Sequence, residues 1–203
     1  MSNPNAPFGF RHLGITRGGP VANFSKNWVK VAYNYGTALY KGDVLVDLGT
    51  GYGGRYTSGV AGSNVLGIIE GFEYFSTAQG RRVFSTYLPV GDTAYDVDCQ
   101  IVPIMGVHPQ MFAVQATSGV FSVTDTGQNI EPAVAGTGSI VGGYGKSAMT
   151  ITQGTNEAAT GTLPFRIVDF YSNLAPSGTP GTDDTSAYHI MVVASNPFNA
   201  TGV

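Results

Sequence analysis

Charge is what this sequence has least of. Lys and Arg number 10, and Asp and Glu 13, in 203 residues, or 11% of the chain; soluble domains carry about 25%. Charge keeps free proteins apart, so a chain this poor in it suits a surface largely occupied by neighbours. The matching excess is not aliphatic: it is Gly, at 29 residues, with Ser, Thr, Ala and aromatics. A single cysteine, Cys99, excludes an internal disulfide, and its expected place is that of a small buried hydrophobe. The net charge of −3 and pI near 5.5 leave no basic footprint for nucleic acid. The longest apolar runs, such as residues 190–194, fall far short of the ~20 residues a membrane-spanning helix needs. The opening Met1-Ser2-Asn3-Pro4-Asn5-Ala6-Pro7 has neither the charged nor the apolar segment of a secretory signal.

Helical periodicity is also missing. No stretch of 12 or more residues repeats at the helical period, and only residues 125–131 invite one helical turn. Instead, period-two alternation begins at Trp28, with Val29, Val31, Tyr33 and Tyr35 on one face. Further strands are expected over 43–48, 65–75, 82–88, 99–104, 111–117, 120–123, 148–152, 164–171 and 187–194. Gly67 and Gly71 are expected bulge or close-packing points within the longest of them. About ten short strands separated by Gly, Pro, Asn and Asp predict an all-β fold, a compact barrel or sandwich. Residues 1–27 read as an extended N-terminal arm. Pro4, Pro7, Gly9, Gly14, Gly18, Gly19 and Pro20 oppose regular structure there, while Phe8, Phe10, Leu13, Ile15, Val21 and Phe24 are too apolar for a solvated tail. Residues 28–203 form a single β-rich domain in this reading, with an exposed loop at 173–186.

Motifs of catalysis and ligand binding fail at named positions. Gly49-Thr50-Gly51-Tyr52-Gly53-Gly54 follows a strand and fits a dinucleotide fingerprint, but the next residues, 55–62, are not helical. The amides that would meet a pyrophosphate are therefore missing, and a glycine-rich β-turn is expected. Gly145-Lys146-Ser147 imitates the end of a phosphate-binding loop, but Ile140 stands where that loop requires glycine. His12, His108 and His189 stand in no metal-ligand spacing. Asp92, Asp96 and Asp98 are expected as strand-end and turn carboxylates, because the calcium-loop pattern is absent. No nucleophile elbow is present. The aromatics Phe72, Tyr74, Phe75, Phe84 and Tyr87 offer a sugar-stacking face, with core and interface packing the stronger expectation.

Five segments, in order, resemble the small capsid-decoration, or cement, proteins of tailed bacteriophages. They are Asn5-Ala6-Pro7-Phe8-Gly9-Phe10-Arg11; residues 38–45; residues 65–74; Met111-Phe112-Ala113-Val114-Gln115 followed by 120–129; and residues 163–170 with the terminal strand 188–196. The resemblance implies a virion structural protein on the outer face of the head, made in the host cytoplasm. It implies binding to the major capsid protein and stabilisation of its lattice, commonly as a homotrimer, with neither catalysis nor a cofactor or metal. The candidate interface residues, toward capsid or sister subunit, are Pro7, Phe8, Phe10, Arg11, Leu13, Ile15 and Phe24 of the arm and Phe198 of the C-terminal tail. Phe8, Phe10 and Arg11 are its expected anchors, since aromatics and Arg dominate interface energetics. The alternative for the arm is that it closes the chain's own barrel. The alternative functions are a head fibre or surface module recognising host glycans and, least favoured, a β-fold hydrolase.

Overall fold

A computed structural model describes residues 5–15, 27–58, 64–104, 109–118, 121, 123–134, 136–153, 157–158, 161–170 and 189–196. Among these residues the protein is all-β, with a 3₁₀ turn at Val123–Asp125. The strands are β1 (Arg11–Ile15), β2 (Asn27–Val31), β3 (Leu39–Tyr40), β4 (Val44–Asp47), β5 (Gly53–Arg55), β6 (Val65–Ser76), β7 (Arg81–Ser85), β8 (Tyr87–Leu88) and β9 (Val97–Pro103). There follow β10 (Gln110–Ser118), β11 (Asn129–Ile130), β12 (Ala133–Val134), β13 (Ser139–Val141), β14 (Tyr144–Lys146), β15 (Met149–Thr152), β16 (Glu157–Ala158), β17 (Phe165–Phe170) and β18 (Ile190–Ser195).

Two main sheets result. One runs β2-β9-β6-β4-β5, with β7 beside the distal half of β6; the other runs β12-β15-β10-β18-β17-β11-β16, with β1 beside β10. Among the described residues the pairing is antiparallel except between β10 and β15.

The first sheet is buried on both faces, and its alternation explains how. In β4, Val44 and Val46 join a core shared with the second sheet, while Leu45 points the other way; in β6, Ile68 and Ile69 divide likewise. The shared core joins these residues to Phe112, Val114, Met149, Phe165, Met191 and Val193 of the second sheet. The opposite face holds Leu45, Ile69, Phe72, Tyr74, Leu88, Val97, Cys99 and Ile101. Around it the sheet curls into a half-barrel, whose two ends approach closely: a Cβ at Gly53 of β5 would lie 3.1 Å from Val29 of β2. The Tyr35 hydroxyl reinforces that seam by accepting the Arg55 N–H at 2.7 Å.

Gly67 and Gly71 take the places expected of them. A Cβ at Gly67 would lie 2.3 Å from the Val102 carbonyl oxygen, and Gly71 sits at a register shift between β6 and β9. Two strand expectations are corrected. Phe121 is not in a strand, and Val123 opens the 3₁₀ turn rather than ending a strand. The strand at Trp28 ends at Val31, leaving Tyr33 52% exposed in a turn.

Cys99 is fully buried in the half-barrel, and burial pushes its thiol far above the ordinary range. The thiolate is the reactive form. Ellman's reagent is therefore expected to leave Cys99 untouched in native protein and to titrate it only after unfolding. Ready labelling of the native state would mean that the half-barrel opens.

Candidate interaction surface

The described part of the arm, residues 5–15, packs on its own chain. Residues 110–113 of β10 need a backbone partner on the edge opposite β18, where β15 reaches only Ala116 and Ser118, and β1 supplies it through Arg11 with Ala113 and Ile15 with Gln110. The approach is guided by a tight turn at residues 40–43. Gly42 has φ +90°, its carbonyl accepts the Phe10 N–H at 2.9 Å, and a Cβ at Gly9 would lie 2.5 Å from the Ser147 Cβ. Gly9 itself has φ +72°, so only glycine takes this path without strain.

The eight expected interface residues therefore separate. Phe10 is 2% exposed in the shared core, stacked on Phe165 with ring centroids 4.8 Å apart. Its side chain serves its own fold, as in the alternative in which the arm closes the chain's own barrel, and is not presented to a partner. Pro7, Phe8 and Leu13 are half-buried, and Arg11 is exposed. Phe8, Arg11 and Leu13 come together with His12, Ala113 and Ile190 around a depression of about 320 Å³. His12 Nε2 lies 2.8 Å from Gln110 Oε1, a hydrogen bond that ties its ring to β10. Ile15 pairs through its backbone in β1. Phe24, Phe198, His108 and the loop at 173–186 lie outside the described residues.

The acidic cluster has structural partners. Asp92 accepts from Ser76 Oγ at 2.7 Å, Thr77 Oγ1 at 2.9 Å and the Ala78 N–H at 2.8 Å, closing the turn between β6 and β7. The Ala78 N–H foremost, with the Ser76 hydroxyl next, holds its carboxyl below the ordinary value. Asp96 accepts from the Tyr33 N–H at 3.2 Å and the Tyr52 hydroxyl at 2.9 Å, and Asp98 pairs with Lys30 at 2.7 Å. Among the described residues no group of three His, Cys, Asp or Glu could hold a metal ion. In the run 49–54, residues 49–52 form the β4–β5 hairpin turn, with Gly49 and Gly51 at positive φ, and Gly53 and Gly54 open β5.

A second surface lies on the half-barrel sheet. Trp28 of β2, Phe84 of β7 and Tyr144 of β14 are 53%, 74% and 71% exposed and line one groove of about 340 Å³. Gly71 lies in its lining and contributes no side chain; Gln100 and Thr86 add an amide and a hydroxyl. The β13–β14 hairpin that carries Tyr144 turns through Gly142 and Gly143, both at positive φ. It is held at its base, where the Gly145 N–H donates to Thr86 Oγ1 at 2.7 Å. A Cβ at Gly145 would lie 2.4 Å from the Thr86 carbonyl oxygen, so this contact also requires glycine. Ile140 and Val141 on the same hairpin are 51% and 61% exposed.

The sequence pools Phe84 with Phe72 and Tyr74, but these two turn into the half-barrel core while Phe84 faces out. The missed signal for the hairpin is Gly142-Gly143 between apolar residues, a two-residue turn pattern.

No family model matches the chain, and neither a curated protein nor a solved structure matches it.

Proposed function

We propose that this chain is a virion structural protein that binds the outer surface of a phage head and stabilises the major capsid lattice, acting as a homotrimer. The observation that carries the reading is the depression lined by Phe8, Arg11 and Leu13. It brings an aromatic, an arginine and an aliphatic side chain of the family-like arm to one place on the second sheet. Such groups anchor protein interfaces. The poverty of charge across the chain fits a surface covered by subunits, and repeated attachment to a lattice turns modest contacts into firm retention.

The test is co-sedimentation with heads of the parent phage that lack this protein. Wild-type protein is expected to bind and to stay bound in moderate salt, because contacts dominated by uncharged groups are little screened. Arg11→Glu and Phe8→Ala are expected to bind at least about tenfold more weakly, roughly 1.4 kcal/mol, with melting temperatures close to wild type. Failure of the wild type to bind heads, or full binding by both variants, overturns the proposal. Light scattering on the free protein measures whether the trimer precedes attachment.

A further inference from the structure

The groove between Trp28, Phe84 and Tyr144 has no part in the reading above, and its chemistry is specific. Its three exposed rings come from three separate elements, at positions up to 116 residues apart. Exposed aromatics gathered this way mark a surface meant to meet something. Among the described residues no charged side chain lines the groove, and neither does an aliphatic one. The polar lining consists of amide and hydroxyl groups, with Gln100 able both to donate and to accept. Thr86 already accepts from the Gly145 N–H, which leaves its own hydroxyl proton free to donate. At about 340 Å³ the groove falls within the range of small-ligand sites, roughly 300–1,000 Å³.

We infer that this groove is a binding site for a neutral hexose-based oligosaccharide. A pyranose ring presents a face of C–H groups, which packs on the electron-rich face of an aromatic ring. Its rim of hydroxyls needs donors and acceptors without net charge. Both requirements are met by this lining. A nucleotide or an acidic peptide would call for a cation, and the described residues of the groove offer none. A helical or extended peptide would call for aliphatic pockets, which are also missing. Gly71 matters because a Cβ there would lie 3.3 Å from the carbonyl oxygen of Ser85, another residue of the lining.

Trp28 is the chain's single tryptophan, so intrinsic fluorescence reports on this groove directly. The experiment is titration of the full-length protein with cellotetraose, maltotetraose and tetra-N-acetylchitotetraose, each to about 10 mM, well above a millimolar dissociation constant. At least one is expected to shift Trp28 emission saturably. Phe84→Ala and Tyr144→Ala are each expected to weaken that response at least about tenfold while leaving the melting temperature unchanged, since both rings are exposed. No shift with any of the three sugars overturns the inference. So does binding that both variants retain, which would place the sugar elsewhere. A Trp28 shift that follows protein concentration without sugar, in step with association by sedimentation, also overturns it and makes the groove a contact between copies.

Discussion

Phe10→Ala is expected to destabilise the protein by about 3–5 kcal/mol, a large share of the ~5–15 kcal/mol that holds a typical domain folded. For a chain of this size that corresponds to a fall in melting temperature on the order of 10 °C. Phe10 is 2% exposed and forms an aromatic triangle with Phe112 and Phe165. The Phe10–Phe165 rings stack at 4.8 Å, and Phe112 meets both edge-on at 6.4 and 5.9 Å. Truncation removes one corner from a core that both sheets share. The surroundings have little room to collapse, because the backbone on each side is pinned by the Phe10 N–H bond to Gly42 and by β1. Phe8→Ala, at a half-buried position, is the control and should cost far less. Denaturant melts of both variants check the expectation. A loss below about 1 kcal/mol for Phe10→Ala would mean that residues 5–15 are dispensable to the fold. The same geometry limits any truncation of the arm: a deletion that reaches Phe10 tests folding before it tests binding.

The arm also illustrates what local sequence can carry. Phe8 and Phe10 are two residues apart, so strand alternation places both on one face. The positive φ at Gly9 breaks that alternation and sends Phe10 into the core while Phe8 stays at the surface. No pattern of side chains announces such a turn. Where alternation continues unbroken, the reading is direct: β4, β6, β9, β10 and β18 fall within or close to their expected spans. The all-β class follows from them, and so do the roles of Gly67 and Gly71. Strands of two or three residues, such as β3, β8, β11 and β14, are too short to show a period and exist only because a partner strand meets them. The groove was illegible for a related reason. Trp28, Phe84 and Tyr144 share no local spacing, and only the half-barrel and the β13–β14 hairpin bring them together. Burial of Cys99 and the turn roles of Asp92 and Asp96 were legible because they follow from composition and position near turns.

Arg55→Leu is expected to cost about 3–5 kcal/mol at neutral pH, because it strands a buried carboxylate. Asp43 is fully buried at the start of β4 and Arg55 nearly so at the end of β5, with Arg55 Nε 3.4 Å from Asp43 Oδ2. That separation is an ion-pair contact rather than a well-formed hydrogen bond. The carboxylate's firm bonds come from Ser147 Oγ at 2.5 Å and the Tyr40 N–H at 2.9 Å, while an Arg55 amino group donates to the Gly136 carbonyl at 2.5 Å. The pair thus ties the 40–43 turn to the end of β5 and to the segments on either side of the β13–β14 hairpin. Burial pushes the Asp43 carboxyl above its ordinary value of 3.8, with the Arg55 charge as the largest opposing influence. Removing the guanidinium raises it further. A carboxyl whose folded value exceeds its unfolded one contributes stability fully below the unfolded value, and that contribution is lost as pH rises through the folded value. The gap between wild type and Arg55→Leu should therefore be smallest below about pH 4 and widen toward about pH 7. Urea melts at those two pH values measure it. Asp43→Asn added to Arg55→Leu removes the stranded charge and should flatten the pH dependence. A gap independent of pH would assign the cost to lost packing of the arginine stem instead of to the carboxylate left without its partner.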